Sequence, residues 1–169
     1  MRTKIAGQVG MSQRSSIMNV GRRVDYAVRA LSYLAAQPRA RVVPRVEIEQ
    51  RQAIPPHFLS KILRRLVNAG LLASVPGARG GFRLARAAGS ISIREVYESV
   101  ERPLSLIDCV QRRGEFCRFA PVCTQIDIWA GAQEMLSSYL SRISIGDITD
   151  RQGLVARIPA GTRPASRRP

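Results

Sequence analysis

The stretch at residues 54–86, IPPHFLSKILRRLVNAGLLASVPGARGGFRLAR, constrains the fold of this chain more than any other. Pro55 and Pro56 suit the first turn of a helix, where the N–H that proline lacks would have no partner anyway. Leu59, Ile62, Leu63 and Leu66 then recur at i, i+3, i+4 and i+7, with Phe58 beside them, which makes one apolar stripe. His57, Ser60, Lys61 and Arg64 recur at the same spacing on the opposite face. Gly70 supplies a left-handed stop for the helix. Two short apolar runs follow, 71–75 and 82–85, joined by a turn containing Gly77, Gly80 and Gly81, and together they predict a β-hairpin. A helix followed directly by an arginine-bearing hairpin is the plan of a winged helix-turn-helix.

Such a helix is about as wide as the major groove of B-DNA, so its polar face can reach base edges. His57, Ser60, Lys61 and Arg64 are the candidate reading residues, and Arg79 and Arg83 are the candidates for bracing the backbone or minor groove. A basic helix face is commonly just solvated. Here the basic face and the basic hairpin are consecutive, which favours DNA. His57 is the only histidine in the chain and lies on that face, so no Cys–His pair is available and a cysteine enzyme is excluded.

Charge distribution supports the same division of labour. Residues 43–86 hold eight basic and two acidic side chains, whereas 87–150 hold six basic and nine acidic ones. A basic head carried by a mildly acidic body fits contact with phosphate through the head alone. The net charge of +15 adds less, because 25 of the 27 basic residues are arginine in an Arg- and Ala-rich chain, a bias that base composition also produces. No long uncharged apolar run exists, which excludes a transmembrane helix, and no apolar leader opens the chain, so a cytosolic protein is expected.

Along the chain, residues 1–17 mix Gly, Ser, Gln and Arg without periodicity and are expected to be disordered or absent from the true product. Val24, Ala27, Val28, Leu31 and Leu34 predict a helix over 24–37, ended by Pro38. A short helix over 46–53 leads into the reading helix, which completes the three-helix core of a winged helix-turn-helix domain at 18–88. A further helix is predicted at 94–101, closed by Pro103. Ile128, Trp129, Ala132, Met135, Leu136, Tyr139, Leu140 and Ile143 predict one long amphipathic helix of about twenty residues. So small a domain would leave that stripe partly uncovered, which points to pairing with the same helix of a second subunit. Residues 89–148 are thus expected to form a cysteine loop and a dimerisation helix, and 149–169 a disordered basic tail.

Cys109, Cys117 and Cys123 are spaced C-x7-C-x5-C. Three thiols within fifteen residues of a cytosolic chain argue against structural disulfides. The paired knuckles of zinc sites and the ferredoxin run are both missing. A soft-metal site, a reversible thiol switch and unrelated buried thiols all remain open on spacing alone.

The run at 54–86, followed by ISIREVYESVERP and three clustered cysteines, resembles the Rrf2 family of bacterial winged-helix transcription regulators. The resemblance spans residues 18–148 and is most specific at the IPxxFLxKIL opening and the GxxGGFxLAR wing. It implies a homodimer that binds a palindromic double-stranded DNA operator, acting as a repressor. It also implies the iron–sulfur branch of the family, which includes the NsrR, RirA and IscR types, with Cys109, Cys117 and Cys123 as cluster ligands. The x7/x5 spacing is similar to the RirA pattern. RVDYAVRALSYLA resembles the NsrR opening, in which the aspartate matching Asp25 gives an oxygen ligand to the second subunit's cluster. IscR-type members use a histidine where this chain has Gln125, which points to a 4Fe–4S rather than a 2Fe–2S cluster. Met18 stands seven residues before Asp25, where family chains begin, so residues 1–17 are expected to be a misassigned start. The alternative within the same fold is a cluster-free regulator that responds to thiol redox state or a ligand.

Overall fold

The computed structural model describes residues 20–101, 103–107, 110 and 117–150. Cys109, the extension expected at 1–17 and residues 151–169 of the tail expected at 149–169 lie outside the described residues, while Thr149 ends a helix. Among the described residues the chain is mostly helical with one small antiparallel hairpin. No helix among them is long and apolar enough to cross a membrane.

The centre of the fold is α1 (Arg22–Ala35). It buries Val24, Ala27, Ala30, Leu31 and Leu34, while Val28, expected in the stripe, is only half-buried. The face is displaced and widened because α1 packs at once against α2 (Arg45–Gln52), α3 (Pro56–Asn68), the hairpin and two later helices. Ala27 and Ala30 have no side chain beyond Cβ, which lets those neighbours approach closely. Ile48 from α2, Ile54 from the turn, and Leu59, Ile62, Leu63 and Leu66 from α3 complete this core. The α2–α3 turn is made by Ala53 in the left-handed region (φ 48°), with Pro55 capping α3 and Pro56 in its first turn. Gly70 has φ 68°, the left-handed stop that its position predicts.

The hairpin pairs β1 (Leu72–Val75) with β2 (Gly81–Leu84) in the register Leu72↔Leu84, Ala73↔Arg83, Ser74↔Phe82 and Val75↔Gly81. The connection between α1 and α2 adds a third rung on the other edge of β2. The Val43 N–H donates to the Phe82 carbonyl at 2.9 Å, and the Phe82 N–H returns a bond of 2.9 Å to the Val43 carbonyl. The wing is thereby stitched to the start of α2.

Beyond the wing, a 3₁₀ turn (Ala88–Ser90) leads to α4 (Ile93–Val100), which starts with a capping box. The Glu95 N–H donates to Ser92 Oγ at 3.2 Å and the Ser92 N–H donates to Glu95 Oε2 at 2.9 Å. Arg86 adds a bond of 2.6 Å to Glu95 Oε1. Partial burial raises the Glu95 pKa, but the bonds from the Ser92 backbone and hydroxyl and from the Arg86 guanidinium outweigh it, so the carboxyl titrates below its ordinary value. A carboxyl with a lowered folded pKa contributes stability above its unfolded value and loses that contribution as pH falls through the folded one. Melting temperatures should therefore fall below about pH 4.3 in part through Glu95, and Glu95→Gln should flatten that acid limb. Thermal melts in acid and neutral buffers check it, and identical acid limbs would contradict the assignment.

The last two elements are α5 (Ile126–Arg142) and α6 (Ile145–Thr149). The single long helix expected through Ile143 is corrected here: the helix has 17 residues, and Ile143 leaves it in extended conformation. Two local devices compete successfully with helix continuation. The Ser144 hydroxyl and Asp147 form a second capping box that starts α6, and the Ile143 carbonyl accepts the Ile93 N–H at 2.8 Å. The Ile145 N–H in turn donates to the Ile91 carbonyl at 2.8 Å. Ile91, Val96, Val100 and Ile145 are buried in the same core as α1 and α3. α4 and α6 thus pack onto the same core as α1 and α3.

Candidate nucleic-acid interface

The apolar period of α3 decides which side chains are left to meet a partner. With Leu59, Ile62, Leu63 and Leu66 inside, His57, Ser60, Lys61, Arg64 and Asn68 stand exposed on the other side. Arg65 flanks this row, with its guanidinium donating to the Val100 carbonyl of α4. On one flank of the row, His57, Lys61, Arg64 and Asn68 line a recess of about 550 Å³ with Arg23 and Arg65 over a floor of Phe58 and Ile62. The His57 ring lies 4.4 Å from the Phe58 ring, and Phe58 meets Tyr26 edge-on at 5.8 Å, which fixes the start of α3 against α1. On the other flank, Ser60, Arg64 and Asn68 share a recess of about 290 Å³ with Arg45 of α2 and Ser74 and Phe82 of the wing. The helix is thus a ridge with a cationic trough on either side, a shape suited to a groove bordered by phosphates.

Arg45 is the residue that sequence reasoning missed. Its Nη1 donates to Ser60 Oγ at 3.1 Å and lies 3.8 Å from Glu49 Oε2. Ser60 Oγ in turn donates to the Pro56 carbonyl at 3.0 Å. Arg45 and Ser60 are separated by a turn between helices, so no periodicity within either helix pairs them.

The structure separates the two expected wing arginines. Arg79 is exposed in the turn between the strands. Arg83 pairs across the ladder with Ala73, so it lies on the opposite face of the hairpin from Ser74 and Phe82, which border α3. There it lines a third recess, of about 250 Å³, with Arg39, Arg41 and Arg86. Arg41 is engaged by Glu47 at 2.9 and 3.0 Å, and Arg86 by Glu95.

The expected metal ligands lie elsewhere. Cys117 and Cys123 are free, half-buried thiols on either side of a 3₁₀ turn (Ala120–Val122). The Ala120 N–H donates to the Cys117 carbonyl at 3.0 Å, and the Cys123 N–H to the Ala120 carbonyl at 3.4 Å. Asp25, on the first turn of α1, forms an exposed ion pair with Arg29 at 3.5 Å. Among the described residues no three His, Cys, Asp or Glu side chains gather in one place, so Asp25 does not join the two thiols within a subunit. Two half-buried thiols at the ends of one short turn are donors of the type an iron–sulfur cluster takes, two of the about four ligands it needs. Next to them the chain exposes large apolar side chains: Val122 and Phe119 before α5, and Ile128, Trp129 and Met135 (75% exposed) along it.

A family model described as Rrf2, an iron-dependent transcriptional regulator, matches residues 20–151. The HTH-type transcriptional regulator IscR of Klebsiella pneumoniae is 31% identical over 130 residues, covering 77% of this chain and 78% of that protein. Among solved structures, the global cysteine regulator CymR of B. subtilis has a TM-score of 0.65 at 20% identity, covering 80% of this chain and 98% of its own. The IscR of T. potens has a TM-score of 0.61 at 23% identity, covering 82% of this chain and 90% of its own.

Proposed function

Because the chain belongs to the Rrf2 family of transcriptional regulators, we propose that it is a homodimeric repressor whose grip on a palindromic operator is set by an iron–sulfur cluster. The observation that carries the DNA half is the exposed row on α3, where His57, Lys61 and Arg64 line one cationic trough while Arg64 and Arg45 line the other against the wing. Base-edge contacts fall to this row, and Arg79 reaches the backbone or minor groove at the tip of the wing. Arg83 serves the backbone from the outer face of the hairpin.

The control half rests on the cysteines. Cys109, Cys117 and Cys123 would hold the cluster, of 4Fe–4S type, and Asp25 would serve the cluster of the second subunit in place of its pairing with Arg29. When bound, such a cluster supplies a centre sensitive to iron supply, oxygen and nitric oxide. Cys117 and Cys123 lie just before α5, whose exposed Ile128, Trp129 and Met135 offer an apolar face to a second copy. Tying or freeing the two thiols resets how this segment packs on α5 and so the spacing of the two reading helices. Spacing governs affinity because half-sites lie on one face of DNA only at defined separations. Coupling of this kind is ordinarily worth about 1–3 kcal/mol, or roughly 5- to 150-fold in affinity.

Oxygen-free purification followed by absorption spectroscopy and operator binding tests this reading. The expected protein is coloured, loses its colour in Cys123→Ser, and changes operator affinity when the cluster is removed. A colourless protein whose affinity ignores iron, oxygen and nitric oxide would contradict cluster control. A second reading, a thiol switch without a cluster, is favoured by the place of Cys117 and Cys123 at the two ends of one short turn. It predicts a reversible mass loss of about two hydrogen atoms per disulfide when an added oxidant takes up the two electrons, and no cluster mass under native conditions.

A further inference from the structure

Ser60 stands in the middle of the exposed row on α3, yet its hydroxyl has little left to offer a base. A hydroxyl carries one proton and two lone pairs. The proton is given to the Pro56 carbonyl at 3.0 Å, and one lone pair accepts Nη1 of Arg45 at 3.1 Å. The side chain that presents donors at this point of the face is therefore a guanidinium brought in from α2. Its Nη1 also lies 3.8 Å from Glu49 Oε2, so both helices hold it in place. Nε and Nη2 have no hydrogen-bond partner among the described residues, and the group lines the trough between α3 and the wing.

We propose that Arg45 is a specificity-determining residue that reads a guanine in each half-site, with Ser60 as its positioning residue. This rests on α3 binding duplex DNA as set out above. Guanine is the base whose major-groove edge offers two acceptors side by side, O6 and N7, and a guanidinium is a planar fork of donors with no acceptor. Glu49 beside it offsets part of the charge, which weakens general attraction to phosphate and leaves the directional contact. An arginine anchored at two points loses less freedom on binding than one free on the surface.

The experiment uses full-length wild type, Arg45→Ala, Arg45→Lys and Ser60→Ala, each selecting duplexes from a random library. The proposal expects Arg45→Ala and Arg45→Lys to lose one guanine preference per half-site and keep the others. Both should bind the wild-type-selected duplex on the order of 5- to 150-fold more weakly, with unchanged melting temperatures. Ser60→Ala should blur the same position only. Replacing that guanine by 7-deazaguanine, which lacks N7, should weaken wild type and leave Arg45→Ala unaffected. Retention of the guanine preference by Arg45→Ala, or equal weakening of every duplex by it, would overturn base reading by Arg45. A wild-type protein that enriches no sequence would instead remove the DNA-binding reading itself.

Discussion

Converting both Lys61 and Arg64 to alanine should lower affinity for the selected operator by roughly 30- to 10⁴-fold, on the basis of about 1–3 kcal/mol for each good base contact. The stability of the protein should barely move. Both side chains are exposed on α3, and alanine is the residue that a helix interior tolerates best. Among the described residues neither forms an ion pair or hydrogen bond, in contrast to Ser60 and Arg65. The two losses are not equivalent: Lys61 borders only the trough toward α1, while Arg64 borders both. Affinity should also become less sensitive to salt, because fewer counterions are released when two cations are gone.

Gly81→Ala should act through the fold instead. A Cβ at this position would lie 2.2 Å from the Val43 carbonyl oxygen and 2.6 Å from its carbonyl carbon. Both are backbone atoms, so no side chain can rotate out of the way. The Val43 segment would have to retreat from β2 and give up one or both of its 2.9 Å bonds with Phe82. Overpacking ordinarily costs about 1–3 kcal/mol, and each lost backbone bond about 0.5–1.5 kcal/mol. A destabilisation of roughly 2–4 kcal/mol is expected, a large share of what a small domain has. Val43 is buried and lies two residues before α2, so the retreat should also disturb Arg45 and the trough beside the wing. Denaturant unfolding measures the effect, and a loss below about 0.5 kcal/mol would mean that the Val43 bridge is not part of the fold.

What could be read from the residues in advance was whatever depends on local spacing. The period of Leu59, Ile62, Leu63 and Leu66 fixed both faces of α3, and Gly70 marked its end because only a left-handed residue closes it there. The hairpin was visible from its two apolar runs and glycine turn. Arg83 could also have been assigned to the outer face, since Phe82 and Leu84 on either side of it must point the other way along a strand. Ile143 was misread because it falls four residues after Tyr139 and so continues the helical period. The signal against it was Ser144 followed three residues later by Asp147, a start signal that outweighs one apolar match. The Arg45–Ser60 contact had no local signal at all, because it exists only once α2 crosses α3. Likewise, the wide buried face of α1 follows from the number of elements packed around it and from no periodicity of its own.

The most direct measurement of the central claim is fluorescence anisotropy of a duplex selected by the wild-type protein, titrated with wild type and with the Lys61→Ala, Arg64→Ala double variant at several salt concentrations. If the exposed row of α3 meets DNA, wild type binds that duplex far more tightly than scrambled DNA, and the folded double variant loses this margin along with part of the salt dependence. Equal binding by the two proteins, or a wild type that treats selected and scrambled DNA alike, would place the DNA contact elsewhere or deny it.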